Sequence, residues 1–231
     1  MKNLLLLHGA LGSSQQMEPL KEALSGKYNV HTLNFSGHGG GEIPAEPFSI
    51  GMFAGDIIRY IDNNNIAGTD IFGYSMGGYA ALYAALKNPG KIGKIFTLAT
   101  KFEWSPETAE REVKMLDAEK IKQKVPKFAE ELSLRHGQGN WINVLTKTAE
   151  MMMALGSDNL LTHEQLGELK NEVLVGIGDR DKMVTLEETI AAYRALPDAK
   201  LLILPGTPHP IEQVDVNRAA DEIKRFTADV N

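Results

Sequence analysis

The fold of this chain is constrained most by the regular alternation of two kinds of segment. Six short apolar runs, rich in leucine or β-branched residues, occupy 4–7, 30–35, 70–74, 92–99, 172–177 and 200–204. Between them, helical patterns occupy 14–25, 50–63, 76–87, 186–196 and 211–230. The runs do not alternate polar with apolar residues, which indicates strands buried on both faces. The sequence therefore predicts an α/β fold with a doubly wound parallel sheet of about six strands.

The interval 101–170 is too long for a simple crossover between the fourth and fifth predicted strands. It is rich in helix-forming residues and carries large apolar side chains, including those of Trp104 and Trp141. Connections of this length inside a domain are usually functional or form structure of their own. We interpret 101–170 as an inserted helical lid on a core formed by 1–100 and 171–231. Extra surface helices without a role in ligand binding are the alternative.

Four of the six predicted strands are followed by side chains that could take part in acyl transfer. Ligands of open α/β sheets bind outside the carboxyl ends of the strands. At or just beyond those ends the sequence has, in chain order, His8, Ser75, Asp179, Asp181 and His209. A serine becomes a nucleophile when a base such as histidine activates it and a third group orients the base. These residues are therefore candidates for one shared site.

The segment Gly73-Tyr74-Ser75-Met76-Gly77 fits the G-x-S-x-G pattern of a nucleophile elbow. In that pattern the serine lies on a sharp turn from strand to helix, where glycines avoid clashes of Cβ atoms. The N-terminus of the following helix offers the Met76 N–H to a developing negative charge. A tight turn that merely needs glycine is the structural alternative.

Together these motifs resemble the α/β-hydrolase superfamily, of the small, lid-bearing serine esterase type. The resemblance covers nearly the whole chain and rests on His8-Gly9, Asn34-Phe35-Ser36-Gly37-His38-Gly39, the elbow, Gly178-Asp179-Arg180-Asp181 and His209. It implies that Ser75 is the nucleophile, His209 the general base and Asp181 the acid that orients the base. It also implies that the N–H groups of Ala10 and Met76 form the oxyanion hole.

Asp179 and Asp181 compete for the role of the acid. The family usually places its acid three residues after a glycine and shortly before a valine, and the spacing of Gly178, Asp181 and Val184 matches this pattern. Asp179 stays open as the alternative, because either carboxylate could lie near the strand end.

The chain departs from the family pattern in two places. Pro210 follows His209, where it restricts the histidine backbone and removes one N–H. Seven residues precede His8, whereas most family members carry a β-hairpin before this motif. The resemblance therefore implies an α/β-hydrolase core that lacks the N-terminal hairpin.

Four further side chains are candidates for substrate binding: Tyr74, Trp104, His136 and Trp141. For Trp141 a packing role is an equally good interpretation. Met151, Met152 and Met153 could line an adaptable apolar pocket, although methionines on a helix commonly fill cores.

Composition narrows the range of partners. The chain contains no cysteine, which excludes disulfides, thiolate metal sites and a cysteine nucleophile. Its net charge of −6 argues against nucleic acid, and no apolar run approaches the length of a membrane span. The histidines do not have the spacing of metal ligands. We expect a cytoplasmic monomer or homodimer that takes a small-molecule acyl substrate and needs no metal or cofactor.

These expectations combine into a serine hydrolase that cleaves a small or medium carboxylic ester through an acyl-enzyme intermediate. A thioesterase or a carbon–carbon bond hydrolase or lyase would use the same three side chains. A ligand receptor built on a hydrolase scaffold is the alternative of another class.

Overall fold

The computed structural model describes residues 1–228 and contains one sheet of six parallel strands. The strands are β1 (Lys2–Leu7), β2 (Tyr28–Leu33), β3 (Thr69–Tyr74), β4 (Ile92–Leu98), β5 (Val173–Gly178) and β6 (Ala199–Leu204). Their order across the sheet is β2-β1-β3-β4-β5-β6. The predicted α/β class and parallel six-stranded sheet are confirmed.

Helices connect consecutive strands. The core helices are α1 (Glu18–Leu24), α2 (Ile50–Asn63), α3 (Met76–Lys87), α9 (Leu186–Ala195) and α10 (Val216–Thr227). The predicted bounds of α2 and α3 agree with the structure. The patterns at 14–25 and 211–230 instead begin with 3₁₀ turns, Ser14–Met17 and Ile211–Gln213, and residues 229–230 of the second pattern lie outside the described residues.

The sheet divides the apolar core into two layers because successive side chains of a strand point to opposite faces. On β1, Leu5 and Leu7 pack in a cluster with side chains of α2 and α3. Leu4 and Leu6 pack in a second cluster with side chains of α1 and α10. All four leucines are fully buried, which explains why the sequence shows an unbroken apolar run there.

The crevice for a ligand follows from the strand order. The chain moves from β1 outward to β2 and then returns to β3 on the other side of β1. The connections after β1 and β3 therefore leave the sheet in opposite directions and open a gap at the carboxyl ends of these two strands. Gly9 and Ala10 follow β1 at this gap, and Ser75 follows β3.

The segment between β4 and β5 is helical. It contains α4 (Pro106–Val113), α5 (Ala118–Lys124), α6 (Pro126–His136), α7 (Asn140–Ser157) and α8 (His163–Gly167). The long helix α7 packs against α4 and α6. Gly156 of α7 permits close approach to α4, since a Cβ atom there would lie 2.5 Å from the Ala109 Cβ. No helix within residues 1–228 is both long and apolar enough to cross a bilayer.

Candidate active site

Ser75 lies in the sharp turn between β3 and α3. Its backbone has φ 51° and ψ −117°, a conformation that is costly for a residue with a side chain. Four hydrogen bonds hold it there. The Ser75 N–H donates to the Leu98 carbonyl at 2.8 Å, and the Ser75 carbonyl accepts from Thr100 Oγ1 and the Gly78 N–H, each at 3.0 Å, and from the Tyr79 N–H at 3.3 Å. These hydrogen bonds keep the turn in its strained conformation, as is typical of strained turns at functional sites.

The glycines of the elbow allow the helix to start directly above the strand. A Cβ atom on Gly73 would lie 2.5 Å from the Gly78 Cα, and one on Gly77 would lie 2.6 Å from the His8 carbonyl oxygen. These obstacles are backbone atoms, which cannot rotate away. Glycine is needed here for close approach, so the simple-turn interpretation does not account for both positions.

His209 and Asp181 form the second part of the site. His209 Nδ1 lies 2.7 Å from Asp181 Oδ2, within hydrogen-bond distance. The other carboxylate oxygen of Asp181 accepts the N–H groups of Met183 at 2.8 Å and Val184 at 2.9 Å. The Asp181 side chain is only 1% exposed. Among the described residues Asp179 forms no hydrogen bond or ion pair with His209 and pairs instead with Arg180, at 3.9 Å.

The pKa of Asp181 reflects two opposing effects. Burial alone would raise it, because an ionised carboxylate loses its hydration. The hydrogen bond and charge of His209, together with the two backbone N–H groups, outweigh burial and hold the pKa below its usual value. The carboxylate therefore stays ionised near neutral pH, in the form that accepts the Nδ1–H of His209.

Tyr74 contacts the loop that carries His209. Its hydroxyl donates to the His209 carbonyl at 2.9 Å, and burial raises the pKa of this phenol, so it stays protonated as a donor. Its ring lies beside Gly9, where an added Cβ atom would come within 2.8 Å of the Tyr74 Cε1. Tyr74 thus contacts both the loop after β1 and the loop that carries His209.

Ser75 and His209 line one pocket, with a cavity volume of about 60 Å³. Ala10 and Met76 also line it. Met76 is the first residue of α3, and the first N–H groups of a helix have no partner within the helix. No hydrogen bond joins Ser75 Oγ to the His209 ring within residues 1–228. Such bonds are often loose without substrate and tighten in the complex.

Three buried histidines surround the loop 9–12 beside this pocket. His8 Nδ1 donates to the Gly9 carbonyl at 2.8 Å and Nε2 accepts the Phe35 N–H at 3.2 Å. His136 Nε2 donates to the Leu11 carbonyl at 2.9 Å. His38 lies between them, with ring centroids 5.2 Å from His8 and 5.7 Å from His136. Burial lowers the pKa of all three, and that of His38 falls to about 4.

Only one of the four side chains expected to bind substrate lines the pocket. Trp104 lines the pocket. Tyr74 and His136 have the supporting contacts described above, and neither is among the residues that line the cavity. Trp141 is buried in α7, with Lys122 Nζ 5.8 Å from its ring centroid, and is likewise outside the lining.

The pocket is also lined by residues that belong to none of the sequence motifs. They are Ile50, Tyr79, Lys101, Glu112, Leu155 and Met183. Lys101 has a usable sequence signal, because it lies just beyond the carboxyl end of the fourth strand. Met151 and Met152 of α7 line the pocket, whereas Met153 is exposed. No group of three His, Cys, Asp or Glu side chains among residues 1–228 is arranged to hold a metal ion.

Comparisons with known proteins agree with this architecture. A family model described as the alpha/beta hydrolase fold matches residues 2–138, more than half of the chain. RutD of Agrobacterium fabrum, whose name is that of a carbamate hydrolase, is 26% identical over 232 residues, covering 90% of this chain and 86% of that protein. The structure of MGS-M2, an α/β hydrolase enzyme from a Medee basin deep-sea metagenome library, superimposes with a TM-score of 0.84, over 100% of this chain and 90% of that chain at 15% identity.

A shorter match is to an esterase. The pimeloyl-acyl-carrier-protein methyl ester esterase of Neisseria meningitidis is 31% identical over 99 residues, which are 43% of this chain. The match spans 36% of the length of that esterase. The family model covers more than half of the chain, and the superposition shows the same fold. The chain belongs to the α/β-hydrolase family.

Proposed function

We propose that the protein is a serine hydrolase that cleaves a small or medium carboxylic ester, with Ser75, His209 and Asp181 as its catalytic triad. The observation that carries the proposal is the 2.7 Å hydrogen bond between His209 Nδ1 and Asp181 Oδ2, beside a pocket that His209 shares with a strained Ser75. A serine on a strained turn, a histidine base and an ionised carboxylate are the parts that acyl transfer needs.

In the first step Ser75 Oγ attacks the ester carbonyl and its proton passes to His209 Nε2. Asp181 stabilises the imidazolium through Nδ1–H. The tetrahedral intermediate then breaks its bond to the alkoxy oxygen, which leaves as an alcohol with the proton from His209. Water, deprotonated by His209, attacks the acyl-enzyme, and the acid departs as the proton returns to Ser75.

The oxyanion of each tetrahedral intermediate needs donors that are already in place. The Ala10 and Met76 N–H groups are suited to this task, because both residues line the pocket and Met76 opens a helix. Loss of one such donor in other hydrolases lowers turnover by about 100- to 1,000-fold. The loop 9–12 is therefore as important to the proposal as the triad.

An ester is the preferred substrate class for two reasons. The pocket around Ser75 is lined mainly by apolar side chains, including those of Met151, Met152 and Leu155, which suits an acyl chain. The Neisseria relative is named a methyl ester esterase. A carbamate is a second candidate, because the alignment with RutD extends over 90% of this chain.

The helical segment 101–170 serves as a lid in this proposal. Helix α7 supplies Met151, Met152 and Leu155 to the pocket, and α4 supplies Glu112. Closure of apolar groups over a site excludes water and strengthens its electrostatic interactions. The segments 1–100 and 171–228 then form the core that carries the triad.

Hydrolysis of a p-nitrophenyl ester series from acetate to decanoate, by the wild type and by Ser75→Ala, tests the proposal. We expect turnover that is highest for short chains, because the cavity is small, and that is lost in the variant. Turnover that Ser75→Ala retains would refute the role of Ser75. Absence of turnover on every ester, with a folded protein, would refute ester hydrolysis.

A further inference from the structure

The segment that follows β4 contributes to the walls of two cavities. The first is the active-site cavity, with a volume of about 60 Å³. The second has a volume of about 390 Å³ and is lined by the N-terminal ends of α4 and α8 and by one residue of α9. We call it the α4–α8 cavity. Pockets that hold small molecules usually measure about 300–1,000 Å³, and of these two the α4–α8 cavity alone has that size.

Trp104 belongs to both walls, and among residues 1–228 no other residue lines the two cavities. Two further contacts join their walls. The hydroxyl of Tyr79, in the active-site cavity, donates to Asn159 Oδ1, in the α4–α8 cavity, at 2.7 Å. Lys101 Nζ lies 3.6 Å from Glu188 Oε1 in the same way. The cavities are therefore separated by a hydrogen-bonded pair, an ion pair and Trp104.

Trp104 is the least firmly held of these three contacts. Its side chain packs against the apolar core, but its Nε1 atom is buried without a hydrogen-bond partner in the part of the chain that the structure describes. A buried donor normally has an acceptor, so this position of the indole is unfavourable in that respect. The Tyr79 hydroxyl, by contrast, also accepts the Leu161 N–H at 3.0 Å. Movement of the Trp104 ring breaks no hydrogen bond, whereas movement of the Tyr79 ring breaks two.

The two cavities differ in chemical character. The active-site cavity is lined mainly by apolar side chains. Most residues that line the α4–α8 cavity are polar: Glu103, Ser105, Thr108, Asn159, Thr162, His163 and Glu188. Two of them are acidic and none is a lysine or arginine, which disfavours an anion. The α4–α8 cavity is therefore suited to a neutral group that forms hydrogen bonds.

We propose that Trp104 is a specificity-determining residue whose indole ring closes the active-site cavity toward the α4–α8 cavity. With the ring in place, the site takes short acyl groups. With the ring removed or turned aside, the α4–α8 cavity is a subsite for a neutral, hydrogen-bonding extension of the acyl group. This inference rests on the proposed ester hydrolysis by Ser75 and specifies which acyl groups it accepts.

The test compares three p-nitrophenyl esters: the butyrate, the 6-acetamidohexanoate and the nonanoate, an apolar chain of about the same length as the second. The wild type should favour the butyrate. Trp104→Ala should raise kcat/KM for the acetamidohexanoate, relative to the butyrate, by at least about tenfold, because binding of remote substrate groups then contributes to the reaction. The gain for the nonanoate should be smaller, since the subsite is polar. Trp104→Phe should keep most of the restriction.

A second substitution distinguishes the subsite from a mere enlargement of the active-site cavity. Thr108→Phe places a ring in the α4–α8 cavity, which Thr108 lines. In the Trp104→Ala background it should abolish the gain for the acetamidohexanoate, so the two substitutions are coupled. Simple enlargement around Ser75 predicts instead that the gain persists. Should Trp104→Ala not fold, Trp104→Leu gives the same comparison.

Trp141→Ala is the matched control, because it removes the other tryptophan of the chain, which lines neither cavity. It should leave the ratio of the two kcat/KM values as in the wild type. The inference would be overturned by the absence of a gain in Trp104→Ala, by a gain that Thr108→Phe does not remove, or by an equal or larger gain for the nonanoate.

Binding without turnover separates this inference from the proposed hydrolysis. In calorimetry, Ser75→Ala/Trp104→Ala protein should bind methyl 6-acetamidohexanoate at least about tenfold more tightly than Ser75→Ala protein, and added Thr108→Phe should cancel the difference. This result without turnover of any ester by the wild type would refute the hydrolysis and uphold the subsite. Turnover of short esters, with binding and ratios unchanged in the Trp104 variants, would uphold the hydrolysis and refute the subsite.

Discussion

Asp181 faces His209 because its own backbone holds the carboxylate in position. The N–H groups of Met183 and Val184 bind one carboxylate oxygen, at 2.8 and 2.9 Å, and leave the other for His209 Nδ1. Asp179, two residues earlier, pairs with Arg180 instead and has a side chain that is 37% exposed. The sequence alone does not decide which of the two aspartates pairs with the histidine. The hydrogen bonds of the turn after β5 place Asp181 against His209.

Replacement of each aspartate by asparagine measures this distinction. Asp181→Asn should lower kcat by about 10⁴-fold, since an amide neither fixes the histidine tautomer nor stabilises the imidazolium. Asp179→Asn, the matched control, should stay within about threefold of the wild type. Equal losses in the two variants, measured on the best ester of the series, would remove Asp181 from the triad.

At the scale of elements, the strand-to-helix turn depends on glycine at the end of β3. Gly73→Ala should lower the free energy of unfolding by about 1–3 kcal/mol, because the new Cβ atom meets the Gly78 backbone at 2.5 Å. Urea denaturation measures this change. Gly26→Ala is the control, since its Cβ atom would have no neighbour within 4 Å. A tolerated Gly73→Ala would show that the turn relaxes without cost.

Helix α6 clamps the loop 9–12 that offers the Ala10 amide. Arg135 Nη1 donates to the Leu11 carbonyl at 2.8 Å, and His136 Nε2 donates to the same oxygen at 2.9 Å. His136→Phe should therefore lower kcat by about tenfold or more with a smaller change in KM, because a displaced amide weakens transition-state binding. Leu134→Ala, on the exposed face of α6, should change neither. A rise in KM alone would indicate direct substrate binding by His136.

The elements of the core could be predicted because their signals are local. The bounds of α2 and α3 follow from helical patterns, and β1 from its leucine run. The role of His136 could not be predicted, since it depends on a partner far away in the chain. His136 binds Leu11 across 125 positions, and only the packing of α6 against the core brings the two together.

At the scale of the whole molecule, the position of the site follows from topology. Alternating strands and helices imply a parallel sheet, and its switch point between β1 and β3 collects Ala10 and Ser75 at one edge. The shape of the pocket could not be predicted from the sequence, because α4 and α7 complete its wall. Their arrangement depends on helix packing, for which 101–170 has no motif.

The buried histidines make the stability of the molecule depend on pH. The folded-state pKa of His38 lies near 4, depressed mainly by burial, whereas the unfolded chain has an ordinary histidine pKa of about 6.5. Between these values the unfolded state binds more protons, so the free energy of unfolding falls as pH drops from about 6.5 toward 4. His38 alone accounts for on the order of 3 kcal/mol of this loss, and His8 acts in the same direction.

Urea denaturation at pH 4.5 and 7 measures this effect. His38→Phe should reduce the difference in unfolding free energy between the two pH values, since the new ring keeps the stacking on Phe48 but takes up no proton. The exposed His163→Phe should leave the difference as in the wild type. Full pH dependence in both variants would show that burial of His38 does not cause the effect.

The proposed mechanism makes Ser75, activated by His209, the nucleophile of this molecule. Treatment with a fluorophosphonate, followed by digestion and mass spectrometry, tests it directly because the phosphonyl adduct persists on the reacting side chain. We predict one adduct, on Ser75, which is absent in Ser75→Ala and forms far more slowly in His209→Ala. No adduct, an adduct on another residue, or an unchanged rate in His209→Ala would contradict the claim.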